Sequence, residues 1–166
     1  MIDLSRFEKP RPTSSKSKII FWTIASGFFF ETWLPWPISL KVFLLKAFGA
    51  SLGKNIVLKP RIKVKSPWLL SIGDCSWIGE AVWIENIDEV AIGSHVCLSQ
   101  GVRLIDGNHD FNDPSFRTFS RKIQIDSGCW VGAHTIIFGG VQVPKAQFLK
   151  GGSVIRSSKD IEYDGN

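Results

Sequence analysis

Between Ser71 and Leu104 the chain reads Ser-Ile72-Gly-Asp-Cys-Ser-Trp-Ile78-Gly-Glu-Ala-Val-Trp-Ile84, then, after a short break, Ile92-Gly-Ser-His-Val-Cys-Leu98 and on to Leu104. Aliphatic residues stand six apart, a Gly often follows, and a small or β-branched residue comes four places after the aliphatic one. The same spacing returns at Ile125, Val131, Ile137, Val143, Leu149 and Ile155, and Ile56 and Ile62 extend it toward the N-terminus. A helix repeats its apolar stripe near 3.6 residues, and a hairpin meander signals turns every 8 to 12. Period six fits neither. It suits one side of a triangular coil, with three six-residue rungs per turn of about 18 residues and a core made by stacking turns.

The departures from this period locate the variable parts. Ile72 and Ile92 are 20 apart, which predicts a small bulge around Asn86 to Val90. Ile92 and Ile125 are 33 apart, so about 15 extra residues leave the coil between Asp106 and Lys122. A long loop inside a compact repeat is usually functional.

Upstream, Met1 to Lys18 shows no hydrophobic period and reads as a flexible or strapping arm. Residues 19–50 are the most apolar part of the chain. Glu31 and the Pro35/Pro37 pair interrupt this segment before it reaches the roughly 20 apolar residues that a membrane span needs. Two short helices are expected, about 18–31 and 37–48, the second with Ile38, Val42 and Leu45 on one stripe and Lys41 and Lys46 off it. They either cap the first coil or lie in a membrane interface as Trp- and Phe-rich elements do, a peripheral contact through residues 19–48. The coil then occupies 51–157 with its loop 106–122, and 158–166 form a tail.

The whole chain has 166 residues, 44% hydrophobic and 21% charged, enough for one folded domain and incompatible with wholesale disorder. Its net charge of +5 suits an anionic ligand, a membrane or a nucleic acid, but no basic stripe interleaved with aromatics favours nucleic acid. Three Cys without a C-x-x-C pair, and no leader pattern at the N-terminus, point to a reducing cytoplasm. Asp106-x-Asn108-x-Asp110 starts like a calcium loop, yet the sixth place is Phe111 and the twelfth Arg117, so no metal is expected there. There is no Gly-x-Ser-x-Gly elbow, and Cys129 falls at a small inward place of its rung, where a thiol packs as a hydrophobe.

The rungs from Ile72 to Ile155, the excursion Gly107-Asn108-His109-Asp110 and the returning Trp130-Val131-Gly132-Ala133 resemble the hexapeptide-repeat acyltransferases. Trp33-Leu-Pro-Trp-Pro and Trp83-Ile-Glu-Asn are similar to the colanic-acid and exopolysaccharide O-acetyltransferase branch. The resemblance implies an all-β solenoid, a left-handed parallel β-helix with an N-terminal helical cap. Handedness comes from the resemblance alone, since parallel crossovers are generally right-handed. It further implies direct transfer of an acetyl group from acetyl-CoA to a sugar hydroxyl of a polysaccharide precursor, in a homotrimer with sites between subunits.

On the matching positions, the resemblance puts the catalytic base at His109. The chemistry asks for such a group, because a hydroxyl is a poor nucleophile until its proton is removed and imidazole titrates near neutrality. Asn108 and Asp110 either touch substrate, orient the imidazole or only stabilise the turn. Trp130 matches the aromatic beside the pantetheine arm; Ala133, Gly151 and Ser153 are candidates for that arm, and Lys150, Arg156 and Lys159 for the phosphates. His95 and His134 fall at outward places. Carbonic anhydrases that share the implied fold use a His-x4-His pair, absent here because the histidines are 14 and 25 apart. The last coil departs from the family, with Pro144 where Gly is usual, Gln147 at an inward place and no matching closing segment. Those departures keep open an alternative, a catalytically impaired β-helix serving as an assembly module in polysaccharide biosynthesis.

Overall fold

The structure, a computed structural model, describes residues 2–161, so the expected tail lies partly outside the described residues. From Ser51 onward the chain winds a three-sided parallel β-helix, left-handed as the resemblance implies. The first face stacks Ser51–Leu52, Leu70–Ile72, Val90–Ile92, Ile123–Ile125 and Gln142–Val143. Val57–Leu58, Trp77–Ile78, Cys97–Leu98, Trp130–Val131 and Phe148–Leu149 form the second; Lys63–Val64, Trp83–Glu85, Arg103–Ile105, Ile136–Phe138 and Val154–Ile155 form the third.

Each rung turns two alternate residues inward, as the two-residue period of a strand requires. Ile78, Val82, Ile84, Leu98, Val102 and Leu104 are fully buried in the resulting column. Leu52 stands beside Ile72, Leu58 beside Ile78 and Val64 beside Ile84. The sequence reading therefore had the first coil out of phase by two: Ile56 and Ile62 occupy the other inward place, which holds Ser76 and Val82 one coil later. Both inward places carry aliphatic residues in that coil, so spacing alone could not choose between them.

Ser71 follows Ser51, Ala91 follows Ser71, Gln124 follows Ala91 and Gln142 follows Gln124, register steps of 20, 20, 33 and 18 residues. Only the last is the 18 expected of three plain rungs. In the early coils the extra residues form the corner between the third and first faces, at Ser66–Leu69 and at Asn86–Glu89. A column of side chains holds this corner. Buried Asn86 accepts from Ser66 N (2.9 Å) and donates to Ser66 O (2.7 Å), and buried Asp106 accepts from Ile87 N (2.9 Å) and Asp88 N (2.8 Å).

The other two corners turn through a left-handed residue. Asn55, Cys75, His95, Gly128 and Ala146 stack at one, and Arg61, Ala81, Gly101, His134 and Gly152 at the other, all with positive φ. Their amides bond the coil beneath, as in His95 N to Asp74 O (2.8 Å) and His134 N to Gln100 O (3.0 Å). These hydrogen bonds offset the strain that a non-glycine residue carries there. His95 and His134 are exposed corner residues, as their outward places predicted.

Two helices cover the first coil, α1 (Lys16–Phe29) and α2 (Ile38–Ala47). Ser15 caps α1 by accepting from Lys18 N (3.3 Å). Trp22 reaches down from α1 with its indole N–H on Val64 O (2.8 Å) and packs between the rings of Phe30 and Phe48. On α2 the inward face carries Leu45 and, against the sequence reading, Lys41, while Ile38 is exposed. The Lys41 ammonium bonds Lys59 O (3.3 Å) below the Phe30 ring, and burial pulls its pKa down. Among the described residues no helix is long and apolar enough to cross a membrane.

Candidate active site

The 33-residue step is a β-hairpin. Gly107–His109 pairs antiparallel with Thr118–Ser120, and Asp110 to Arg117 make the tip. The hairpin springs from the corner between the third and first faces, directly above the Asn86 and Asp106 column. Arg121 N returns to Asp106 O (3.1 Å), and Ser120 Oγ lies 3.4 Å from Asp88 Oδ2, so both legs of the hairpin are tied to that corner. Burial pushes the Asp106 carboxyl up to about 6 against the two amides it accepts.

His109 is half-buried on the first leg. Its Nδ1 lies 2.9 Å from Phe116 O and 3.4 Å from Thr118 Oγ1, and its ring stacks on the Phe116 ring at 4.3 Å, nearly parallel. A carbonyl can only accept, so Nδ1 carries the proton and the Nε2 lone pair meets no hydrogen-bond partner among the described residues. Phe116 aims that carbonyl from a left-handed conformation (φ 51°), held by its N–H on Asp113 O (2.8 Å). The tip of the hairpin thus sets the histidine's tautomer and plane.

Asn108 and Asp110 do neither of these things. Asn108 accepts from the His109 amide (2.8 Å) and Asp110 from the Asn112 amide (2.9 Å), both shaping backbone. Of the roles left open for them, turn formation is the one these hydrogen bonds serve. Of the three loop aromatics, Phe116 stacks on the histidine, while Phe111 and Phe119 are exposed.

A cavity of about 320 Å³ opens beside His109, lined also by Phe7, Lys65, Glu85, Ile105 and Asn108. Lys65 and Glu85 pair at 3.0 Å, placing charge of both signs in its wall. Phe7 comes from the N-terminal arm, its ring 5.7 Å from the imidazole, and the arm is moored by Asp3 N on Pro114 O (2.8 Å) and by Trp68 Nε1 on Thr13 Oγ1 (3.1 Å). Sequence reasoning missed Phe7, Lys65, Glu85 and the Phe116 carbonyl. Only Asp106 left a readable trace, the spacing of 20 between Ser66, Asn86 and Asp106 at one corner.

The residues considered for the donor gather elsewhere. Trp130 stands exposed on the second face, its indole N–H on Ser99 Oγ (2.9 Å) and its ring 4.7 Å from Phe148. Ala133, Lys150, Gly151 and Ser153 lie at the next corner, between the second and third faces. Lys150, Ser153 and Phe148 line a cavity of about 360 Å³ that also takes the Asp160 carboxylate. Arg156 and Lys159 follow the last rung, the Arg156 guanidinium 5.9 Å from the Phe138 ring and Lys159 exposed. Trp130 and the Lys150 to Ser153 corner therefore form one group and His109 another, separated within one chain by the width of the third face. Among the described residues no cluster of three or more His, Cys, Asp or Glu could hold a metal ion.

Compared with models of protein families, the chain matches none. It is 33% identical over 147 residues to WcaF of Escherichia coli (strain K12), a protein named for an acetyltransferase role in colanic acid biosynthesis, covering 86% of this chain and 80% of that one. Among solved structures it is similar to a hexapeptide-repeat acetyltransferase from Vibrio cholerae O1 biovar eltor complexed with acetyl-CoA, with a TM-score of 0.80, 17% identity, and 90% and 83% of the two chains covered. A galactoside acetyltransferase in complex with CoA superposes with a TM-score of 0.74 at 18% identity, covering 88% of this chain and 78% of that one.

Proposed function

The chain belongs to the WcaF family of hexapeptide-repeat acetyltransferases, and from that premise we propose that it moves an acetyl group from acetyl-CoA to a hydroxyl of a saccharide in polysaccharide biosynthesis. The observation that carries this reading is His109, with Nδ1 committed to Phe116 O and Nε2 without a partner among the described residues, beside a cavity. Nε2 takes the proton of the acceptor hydroxyl as its oxygen attacks the thioester carbon. The carbon–sulfur bond breaks as the tetrahedral intermediate collapses, and the imidazolium returns the proton to the departing CoA thiolate. No enzyme-bound acetyl group is needed, and two of the three cysteines fit that: Cys129 is buried, and burial raises the pKa of both Cys97 and Cys129, away from a reactive thiolate.

Asn108 and Asp110 serve this site by shaping the hairpin. Trp130 and Phe148 offer an apolar rail for the pantetheine arm, with Ala133, Gly151 and Ser153 at its end and Lys150, Arg156 and Lys159 toward the phosphates. Because that rail and His109 stand apart in one chain, the reading includes a homotrimer in which one copy's second face meets another copy's hairpin.

Acetyl transfer from acetyl-CoA to a panel of sugars, with donor binding followed by calorimetry, tests the proposal. We expect His109→Ala to lower turnover by roughly 10²- to 10⁴-fold while the donor still binds. Turnover at the wild-type rate in that variant would remove His109 from the chemistry. A wild-type chain that fails to bind the donor would leave an assembly module in place of an enzyme.

A further inference from the structure

Helix α1 is apolar on both of its long faces. Its inner face, Trp22 with Ala25 and Phe29, is used in capping the coil. Its outer face carries Ile20, Phe21, Ile24 and Phe28, each more than half exposed. A helix that is hydrophobic all round is ordinarily buried all round. Beside this stripe, α2 exposes Phe43, and the turn between the helices exposes Trp33 and Leu34. An apolar groove of about 660 Å³ runs between the two helices, floored by Phe29, Ala47 and Phe48, with Lys18 at its rim. Among the described residues Trp36 packs on Phe28 at one end, its ring 5.4 Å away, while Ile20, Phe21 and Ile24 stay more than half exposed, and patches of this kind mark interaction sites.

Charge identifies the occupant. Residues 9–48 contain Lys9, Arg11, Lys16, Lys18, Lys41 and Lys46 against one acid, Glu31, an excess of five that equals the net charge of the whole chain. Lys41 is buried, and Glu31 lies 3.9 Å from Lys63 outside the segment, so what faces solvent around the apolar stripe is positive. Arg61 adds to it, its guanidinium 4.5 Å from the ring of exposed Trp33. A second copy laid face to face would set this charge against itself. A surface with apolar depth under an anionic skin complements both features.

We propose that the outer face of α1 and α2 docks on an anionic lipid surface, with Phe21, Ile24 and Phe28 entering the acyl boundary and Lys16, Lys18 and Lys46 meeting headgroups. The inner face caps the coil while the outer face binds lipid, so both roles open to this segment are filled by one element. The inference stands independently of the reaction assigned to His109.

Flotation of the full chain with vesicles of phosphatidylcholine alone, and of phosphatidylcholine mixed with phosphatidylglycerol, tests it. The wild type should float with the anionic vesicles, and salt should weaken the association. Phe21→Glu with Ile24→Glu should weaken it by about tenfold or more, and Lys16→Glu with Lys18→Glu should reduce its salt dependence. All these side chains except half-exposed Lys18 are solvent-exposed, so an unchanged circular dichroism spectrum and native mass will verify folding. Failure of the wild type to float with anionic vesicles overturns the proposal, as does equal binding to both vesicle types. Self-association abolished by the Phe21 and Ile24 changes would assign the face to a second copy instead.

Discussion

At the scale of single residues, the site turns on one main-chain oxygen. Phe116 O fixes the His109 tautomer, a task that a carboxylate often performs elsewhere. The sequence could not show this. A carbonyl's direction depends on φ and ψ, and Phe116 adopts a left-handed conformation that nothing in Pro-Ser-Phe-Arg announces. Asn-His-Asp drew attention to a histidine that lies beside a cavity and to neighbours whose side chains accept backbone amides. Phe7 was equally hidden, because contact between residues 7 and 109 leaves no mark in local spacing. Its ring closes one side of the cavity, so Phe7→Ala should raise the KM for acceptor several-fold, a loss of about 1 kcal/mol of contact, and leave donor binding unchanged. Steady-state kinetics with each substrate varied in turn will separate the two, and a change confined to the donor would place Phe7 elsewhere in the reaction.

At the scale of elements, the period-six pattern was legible because every coil repeats the same inward demand, and a long interruption was legible as a break in it. What filled the break was not. Gly107 to Ser120 pairs as a hairpin without the alternating apolar pattern that would betray strands, since neither of its faces joins the core. Its rigidity comes from the corner below, where Asp106 is 2% exposed and holds two amides of the preceding coil. Burial raises its carboxyl from 3.8 to about 6, so over that interval the folded state binds more protons than the unfolded one. The stability it contributes is therefore full at low pH and lost as pH rises through about 6, by as much as about 3 kcal/mol. Urea unfolding at about pH 5 and about pH 8 should show nearly half of this loss, about 1.4 kcal/mol, because the rest is already gone by pH 5, and Asp106→Asn should lack it. That variant replaces one accepting oxygen by an amide donor facing N–H groups, so it should cost about 1–3 kcal/mol and lower turnover by loosening the hairpin. An identical pH slope in wild type and variant would assign the titration to another group.

At the scale of the whole molecule, the coil explains why the candidate groups fall in two places. Trp130 belongs to the second face in every rung register, whereas His109 can leave only from the corner where the third face ends. No rearrangement within one coil brings them together without breaking the ladder, because each rung is hydrogen-bonded above and below. If transfer needs both, the missing partner comes from another copy, and closed symmetry gives every copy the same arrangement. Complementation follows from this geometry. His109→Ala and Trp130→Ala chains should each be impaired alone, yet co-expressed they should regain activity. A mixed trimer places an intact His109 against an intact Trp130 at about one in three of its interfaces, and random assembly of equal amounts does so at about a quarter of all interfaces, so recovery in the co-expressed pool should approach about a quarter of the wild-type rate. Recovery absent from mixed trimers of verified composition would put both groups to work within one chain, and the two-group site would have to be redrawn around whichever residue the single variants show to matter.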